Sequence, residues 1–295
     1  MALAKARIEK HIVVTLIPEL GSDVYSSVNL TPFGPLGRQE GTNPVFGGFL
    51  ISQALLAASA TVPDSFRPYS SQSTFIAPAD GSKKIIYRVE RVSNGRSFVT
   101  RVVRASQGTT SVYAAMISFQ SLASSSTGNE LQYGAPMIEL DGGPEDIDPS
   151  AMQSIQSSLK IAHWVGDPIP LDMGDDPTSF RFRGFVRSTP LSTEDTLTHL
   201  AALAYASDDL FFGTALAANP IAVGQGWRNL TSLTHNVSFH DPHAKMDEWI
   251  VVERETSWGA MGRVVVHQKM WNRQTGKLIL SGSQEALVRL RGPKI

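Results

Sequence analysis

With 295 residues the chain has length for one large or two ordinary domains and ample material for a core. A formal net charge of −1, with 18% charged and 42% apolar residues, leaves no electrostatic footprint for nucleic acid or an anionic membrane surface. The chain has no cysteine, which removes disulfides, thiolate nucleophiles and zinc–thiolate sites together.

The first residues, MALAKARIEKHIVV, lack a secretory apolar region with a cleavage site, and an intracellular location is expected. No apolar run approaches the ~20 residues that span a bilayer. HIVVTLI (11–17) reads as a strand, followed by the turn-rich NLTPFGPLG. From Asn43 an apolar helix is expected over VFGGFLISQALLAASATV, closed by Pro63 and Pro68. Gly47 and Gly48 stand at its start, where missing side chains admit another backbone or leave amides open to a ligand. The strand runs IIYRVERV, SFVTRVVRAS and SVYAAMISFQ follow, with turns at Ser93-Asn94-Gly95 and Gln107-Gly108-Thr109. In the first run Tyr87, Val89 and Arg91 share one face and Arg88, Glu90 and Val92 the other.

Residues 123–160, rich in Ser, Gly, Pro and acidic side chains, read as a linker. A second series then opens with the strand FRFRGFVRS and the helix TEDTLTHLAALAYASDD, which Thr193 to Asp195 can cap. SLTHNVSFH, EWIVVERE, MGRVVVHQKMW and KLILSGSQEALVRL are expected to form a second antiparallel sheet.

The two series read as imperfect copies, Val45–Gln120 and Leu200–Gln284. Val89-Glu90-Arg91 and Val252-Glu253-Arg254 lie 163 residues apart, and the closing glutamines Gln120 and Gln284 lie 164 apart. An apolar helix wrapped by an antiparallel meander, twice over, is a double hotdog of the α+β class. The expected units are an N-terminal hotdog over 1–122, the linker over 123–160 and a C-terminal hotdog over 161–295. Two copies need not both work, so one is free to keep the chemistry.

Nucleophile machinery is scarce. There is no Gly-x-Ser-x-Gly elbow, and Ser157 with Lys160 matches Ser-x-x-Lys without companion motifs. His235 and His240 are an odd number of residues apart on one strand and face opposite ways, with His243 beyond a proline, which argues against a metal cluster. Gly224 and Gly226 lack the third glycine of a dinucleotide loop. No metal and no cofactor is expected. What remains is polar residues set in apolar elements. Asp208 and Asp209 end a helix where the macrodipole disfavours a carboxylate, Gln284 interrupts an alternating strand, and Ser232 precedes the strand of His235.

VFGGFLISQALLAA, the stretch from Ser73 to Gly108 and MISFQ resemble the first hotdog of the acyl-CoA thioesterase II family. LAYASDDLFF, SLTHNVSFHDP, Asp247-Glu248-Trp249 and SGSQEALVR resemble the second. The resemblance covers roughly residues 40–120 and 180–291. It implies hydrolysis of acyl-CoA by a water held between an Asp, a Thr or Ser, and a Gln, which fall on Asp208, Ser232 and Gln284. It also implies substrate binding by Phe46, Gly47 and Gly48 and by Arg96, Ser97 and Phe98. The chain departs from the family pattern at Tyr69 and Gln72, at Ala77-Pro78-Ala79 and at Phe49, which bears on substrate identity more than on reaction type.

Two readings compete with the hydrolase. One is a non-catalytic acyl-CoA or acyl-carrier binder. The other is a hotdog dehydratase or hydratase, for which His199 is the helix histidine available. The expected partners are an acyl-CoA substrate and further copies of the chain as a homodimer or larger, with no nucleic acid and no membrane. The final Pro293-Lys294-Ile295 has the pattern of a relaxed peroxisomal targeting signal, which makes a peroxisomal location the expectation, with the cytoplasm otherwise.

Overall fold

The computed structural model describes residues 5–28, 44–125, 131–140, 142–145, 162–166, 176–219, 221–222 and 226–291. Ser157, Lys160, Gly224, the terminal tripeptide and most of the expected linker lie outside the described residues.

The helices are α1 (Arg7–Ile12), α2 (Gly47–Ser59), α3 (Thr196–Asp208) and the short α4 (Gly213–Ala217). The strands of the first half are β1 (Val14–Leu16), β2 (Val24–Ser27), β3 (Phe66–Phe75), β4 (Ile86–Asn94), β5 (Phe98–Gln107) and β6 (Thr110–Ser121). Those of the second half are β7 (Ala162–Gly166), β8 (Arg181–Ser188), β9 (Trp227–Phe239), β10 (Ile250–Ala260), β11 (Arg263–Asn272) and β12 (Leu278–Leu290). They form one antiparallel 12-stranded sheet in the order β1-β2-β4-β5-β6-β3-β9-β12-β11-β10-β8-β7. From either edge inward the strands come in the same order, so the internal repeat becomes an approximate twofold relation between the halves. The two sheets expected from sequence are thus one. Their seam is β3 against β9, from Ser70 opposite Ser238 to Thr74 opposite Thr234, and Ser73 Oγ fastens it by donating to the His235 carbonyl at 2.7 Å.

α2 and α3 are apolar nearly all round, the pattern of helices with no solvent face, and both are almost wholly buried. Their alanines and glycines let the backbones approach. Ser52 Oγ, buried in mid-helix, donates to the Ala201 carbonyl at 2.7 Å. The start of α2 meets the end of α3, so the two helices run antiparallel. This crossing brings the last residue of α3 to the first turn of α2.

Three expectations need correction. HIVVTLI is not one strand: His11 and Ile12 close α1, because Ile8 and Ile12 stand at i, i+4 and bury one face in the core. Ser232 does not precede its strand but lies within β9. Gln120 is not the counterpart of Gln284. In β6 the buried row is Tyr113, Ala115, Ile117 and Phe119, so Gln120 falls on the outer face, whereas Gln284 is buried among the inward residues of β12. A 164-residue offset is even, and the inward rows of these two strands have opposite parity.

Candidate active site

The site is built where the halves cross. Asp195 caps the start of α3 by accepting from the amides of Leu197 (3.4 Å) and Thr198 (3.0 Å), which fixes where the helix begins. It ends at Asp208. Leu210 then turns back with φ +55°, a left-handed conformation that costs a leucine free energy and breaks the helix sharply.

Asp208 is 4% exposed. Its carboxylate faces the first turn of α2, where the Gly48 amide donates to it. A Cβ on Gly47 would stand 2.7 Å from Asp208 Oδ2 and 2.9 Å from the Phe75 ring, and one on Gly48 would stand 3.0 Å from the Tyr205 carbonyl. Both positions require glycine for this approach. Phe46 caps the turn, its ring 5.0 Å from that of Tyr205. The fully buried Phe49 packs on the same tyrosine at 5.1 Å, closing the wall beside Asp208 with aromatic carbon.

Gln284 reaches Asp208 from β12. Its Nε2 donates to Asp208 Oδ1 at 2.6 Å and to Ser232 Oγ at 3.1 Å. Both amide hydrogens are used, and rotating the amide would set its oxygen against the carboxylate, so this orientation is fixed. Gln284 Oε1 accepts no hydrogen bond from the described residues, and the Ser232 hydroxyl keeps its own hydrogen to donate.

Ser232 faces Gln284 because of an irregularity in β9. Glu285 pairs with Thr234 but Ala286 pairs with Ser232, so Leu233 is an extra residue. Without that bulge, alternation from the buried His235 would turn Ser232 to the outer face; the bulge returns it inward.

Beneath Asp208 lies a polar floor. His235, pushed down to about 3 by burial and then by the nearby Arg254 charge, is neutral. Ser207 Oγ donates to the Ala204 carbonyl at 2.7 Å and lies 3.0 Å from His235 Nε2, so Nε2 carries the hydrogen. Arg254, inward on β10, gives Nη1 to the Asp209 carbonyl at 2.7 Å, and Gln268 from β11 gives Nε2 to the Ser207 carbonyl at 3.0 Å.

Burial dominates the electrostatics of Asp208, pushing its carboxyl up to about 7, and the neighbouring Asp209 adds to the rise. The hydrogen bond from Gln284, the Arg254 charge and the Gly48 amide act the other way. A first-turn amide and the positive end of the α2 dipole favour the anion.

The residues expected to bind substrate divide. Phe46, Gly47 and Gly48 join the trio. Arg96, Ser97 and Phe98 do not. Arg101 pins the β4–β5 turn to the exit of α2, through Thr61 Oγ1 (2.7 Å), the Thr61 carbonyl (3.0 Å) and Asn94 Oδ1 (2.8 Å). That exit is a 13-residue helix away from Gly47, roughly 20 Å. Phe98 is half exposed there and packs edge-on against Tyr69. In the first half Ser59 ends α2 as Asp208 ends α3, and the inward residues Ile117 and Phe119 offer no carboxamide. The duplicate position lacks the chemistry.

His199 has both ring nitrogens engaged by backbone: Nε2 lies 3.1 Å from the Thr193 carbonyl, and Nδ1 accepts from the Met246 amide at 3.2 Å. Sequence reasoning missed Arg254 and Gln268. The signal was present, since Arg254 shares the inward face of β10 with Val252, but the residue was read only as part of a repeat.

Residues 38–120 match the family model of the acyl-CoA thioesterase N-terminal domain and residues 136–288 that of the C-terminal domain. The chain belongs to the acyl-CoA thioesterase family. Acyl-coenzyme A thioesterase 8 of Mus musculus is 28% identical over 84% of this chain and 81% of its own length. Peroxisomal acyl-coenzyme A thioester hydrolase 1 of Saccharomyces cerevisiae is 26% identical over 87% of this chain and 88% of its own. Among solved structures, the acyl-CoA thioesterase II TesB2 of Mycobacterium marinum shares the fold with a TM-score of 0.75 at 21% identity, covering 98% of this chain and 99% of that one.

Proposed function

We propose that Asp208, Ser232 and Gln284 hold a water that hydrolyses the thioester of an acyl-CoA. As a member of its family the chain is a thioester hydrolase, and the proposal assigns the residues that act. One observation carries it: three side chains from α3, β9 and β12 meet in a single hydrogen-bonded unit through the two hydrogens of one carboxamide.

A thioester carbonyl has little of an amide's resonance, so an oriented water suffices without a covalent acyl-enzyme. Asp208 takes one water proton as general base while the water oxygen bonds to the carbonyl carbon. Ser232 Oγ–H and Gln284 Oε1 offer one donor and one acceptor that orient the water, lowering the entropic part of the barrier. The positive end of the α2 dipole faces this site, and its sign suits an oxyanion developing there. Collapse of the tetrahedral intermediate breaks the C–S bond, and the departing thiolate takes back the proton held by Asp208. The products are the free acid and CoA.

Asp208→Asn, Gln284→Ala and Ser232→Ala, purified and assayed for thiol release with Ellman's reagent, are expected to lose at least about tenfold in kcat, in line with general-base and positioning magnitudes. Wild-type kcat in Asp208→Asn or Gln284→Ala, with the fold intact by circular dichroism, refutes the assignment. His199, tied on both nitrogens, speaks against the dehydratase reading. The likeness to the peroxisomal yeast enzyme supports a peroxisomal location, which imaging of the tagged full chain tests. Two sheet edges, β1 and β7, support assembly into a homodimer or larger, to be read by analytical ultracentrifugation.

A further inference from the structure

The Arg254 guanidinium is fully buried and reaches three acceptors at once. Nη1 donates to the Asp209 carbonyl at 2.7 Å, Nη2 approaches the Ala206 carbonyl at 3.5 Å, and Nε approaches Gln268 Oε1 at 3.3 Å. The two carbonyls flank Asp208 in the chain. The ring of Phe211 covers the guanidinium at 5.1 Å, shielding it from water.

We propose that Arg254 is a positioning residue of the hydrolysis, holding the last turn of α3 and supplying the positive charge opposite the Asp208 carboxylate. The inference rests on Asp208 being the general base.

Two effects need separating. The first is a clamp. The last turn of a helix leaves carbonyls short of their usual partners; the Ala206 carbonyl here accepts the Asp209 amide at 3.2 Å, and a planar guanidinium spans it and the Asp209 carbonyl in fixed geometry, which a lysine ammonium does not. Arg101 makes a similar clamp at the exit of α2 in the half that lacks the trio. Clamping alone is therefore architecture, present with or without chemistry.

The second effect is charge, and it is particular to this end. The groups that face Asp208 are few. Its own helix exit brings the Asp209 carboxylate and the negative end of the α3 dipole, both of which oppose ionisation. From β9 comes His235, which is neutral, and from β6 comes Tyr113, a buried phenol held protonated. β12 and β11 bring the neutral carboxamides of Gln284 and Gln268. From α2 comes the Gly48 amide, and from β10 the Arg254 cation. Arg254 is the full positive charge that acts on the carboxylate among the described residues. Burial also pulls its own titration down to about 9, with Asp209 and Asp208 resisting, so at neutral pH it remains charged. Take that charge away and Asp208 holds its proton to higher pH, with less base available at pH 6 to 7.

The test is the pH dependence of kcat/KM in two variants. Arg254→Gln keeps hydrogen-bond donors without charge, and Arg254→Lys keeps the charge without the fork. For Arg254→Gln the acid limb is expected to move about one unit to higher pH, giving about a tenfold deficit at pH 6 that closes as pH rises. For Arg254→Lys the limb is expected to stay within about 0.3 units of wild type while the plateau rate falls. An unmoved limb in a folded Arg254→Gln protein overturns the proposal, whatever its plateau. If that variant does not fold, a limb displaced by a full unit in Arg254→Lys overturns it equally. Asp208→Asn, run alongside, separates the two levels: wild-type activity there removes the general-base reading, whereas loss of activity with an unmoved Arg254→Gln limb removes only this inference.

Discussion

A carboxyl that titrates near 7 is a usable base at physiological pH and a liability to the fold. In the unfolded chain Asp208 loses its proton near the ordinary value of 3.8; in the folded chain it keeps it to about 7. Between those values the folded state binds the extra proton, so this group's contribution to stability declines as pH rises and is gone above 7. Asp208→Asn abolishes the dependence. Its melting temperature relative to wild type is expected to climb between pH 4 and pH 8, by several degrees at the upper end. A difference that does not vary with pH contradicts the buried-acid account. Asp208 was legible in the sequence because an acid ending an apolar helix breaks a local rule. How far its titration rises was not legible, since burial is set by the whole fold and Gly48, Gln284 and Arg254, arriving from three other elements, oppose the rise.

Two local devices shape the elements. The double glycine opening α2 could be read as a place of close approach, and the approaching group is Asp208 itself. Gly47→Ala would put a methyl group 2.7 Å from Oδ2. The carboxylate must then yield, and kcat is expected to fall at least about tenfold in thiol-release assays, with far-UV dichroism unchanged. The bulge at Leu233 was not legible. Alternation patterns do not register one unpaired residue, so Ser232 was expected ahead of the strand rather than inside it. Deleting Leu233 restores even pairing and turns Ser232 outward. That deletion is expected to reduce kcat as much as Ser232→Ala does; a deletion variant with wild-type turnover contradicts the role of the bulge. The helix α1 was missed for a related reason, because Ile8 and Ile12 carry its spacing across the start of the segment read as a strand.

At the scale of the whole molecule, duplication supplied the architecture, and the hydrogen-bonded Asp208, Ser232 and Gln284 belong to one half. Two helices, two meanders and their chain order were legible because each half repeats the same run of apolar segments. That the halves share one sheet was hidden, since nothing in β3 or β9 marks the other as its neighbour. The repeat also misled. Aligned by spacing alone, Gln120 matched Gln284, yet Gln120 sits on the outer face and Ile117 and Phe119 hold the inward positions. Gln120→Ala is therefore expected to keep kcat within about twofold of wild type, the range of a surface substitution, whereas Gln284→Ala does not. Equal losses in the two variants contradict the register described here. The crossing of α2 and α3 sets the Asp208 carboxylate of one half against the Gly48 amide of the other, so neither half makes this arrangement alone.

The most direct measurement is the pH profile of kcat/KM for thiol release from acyl-CoA, in the wild-type chain and in Asp208→Asn. The wild-type rate is expected to rise with pH along an acid limb centred near 7, where burial sets the Asp208 carboxyl. In Asp208→Asn the rate falls at least about tenfold and the limb disappears. A variant that keeps both the rate and the limb would contradict the account.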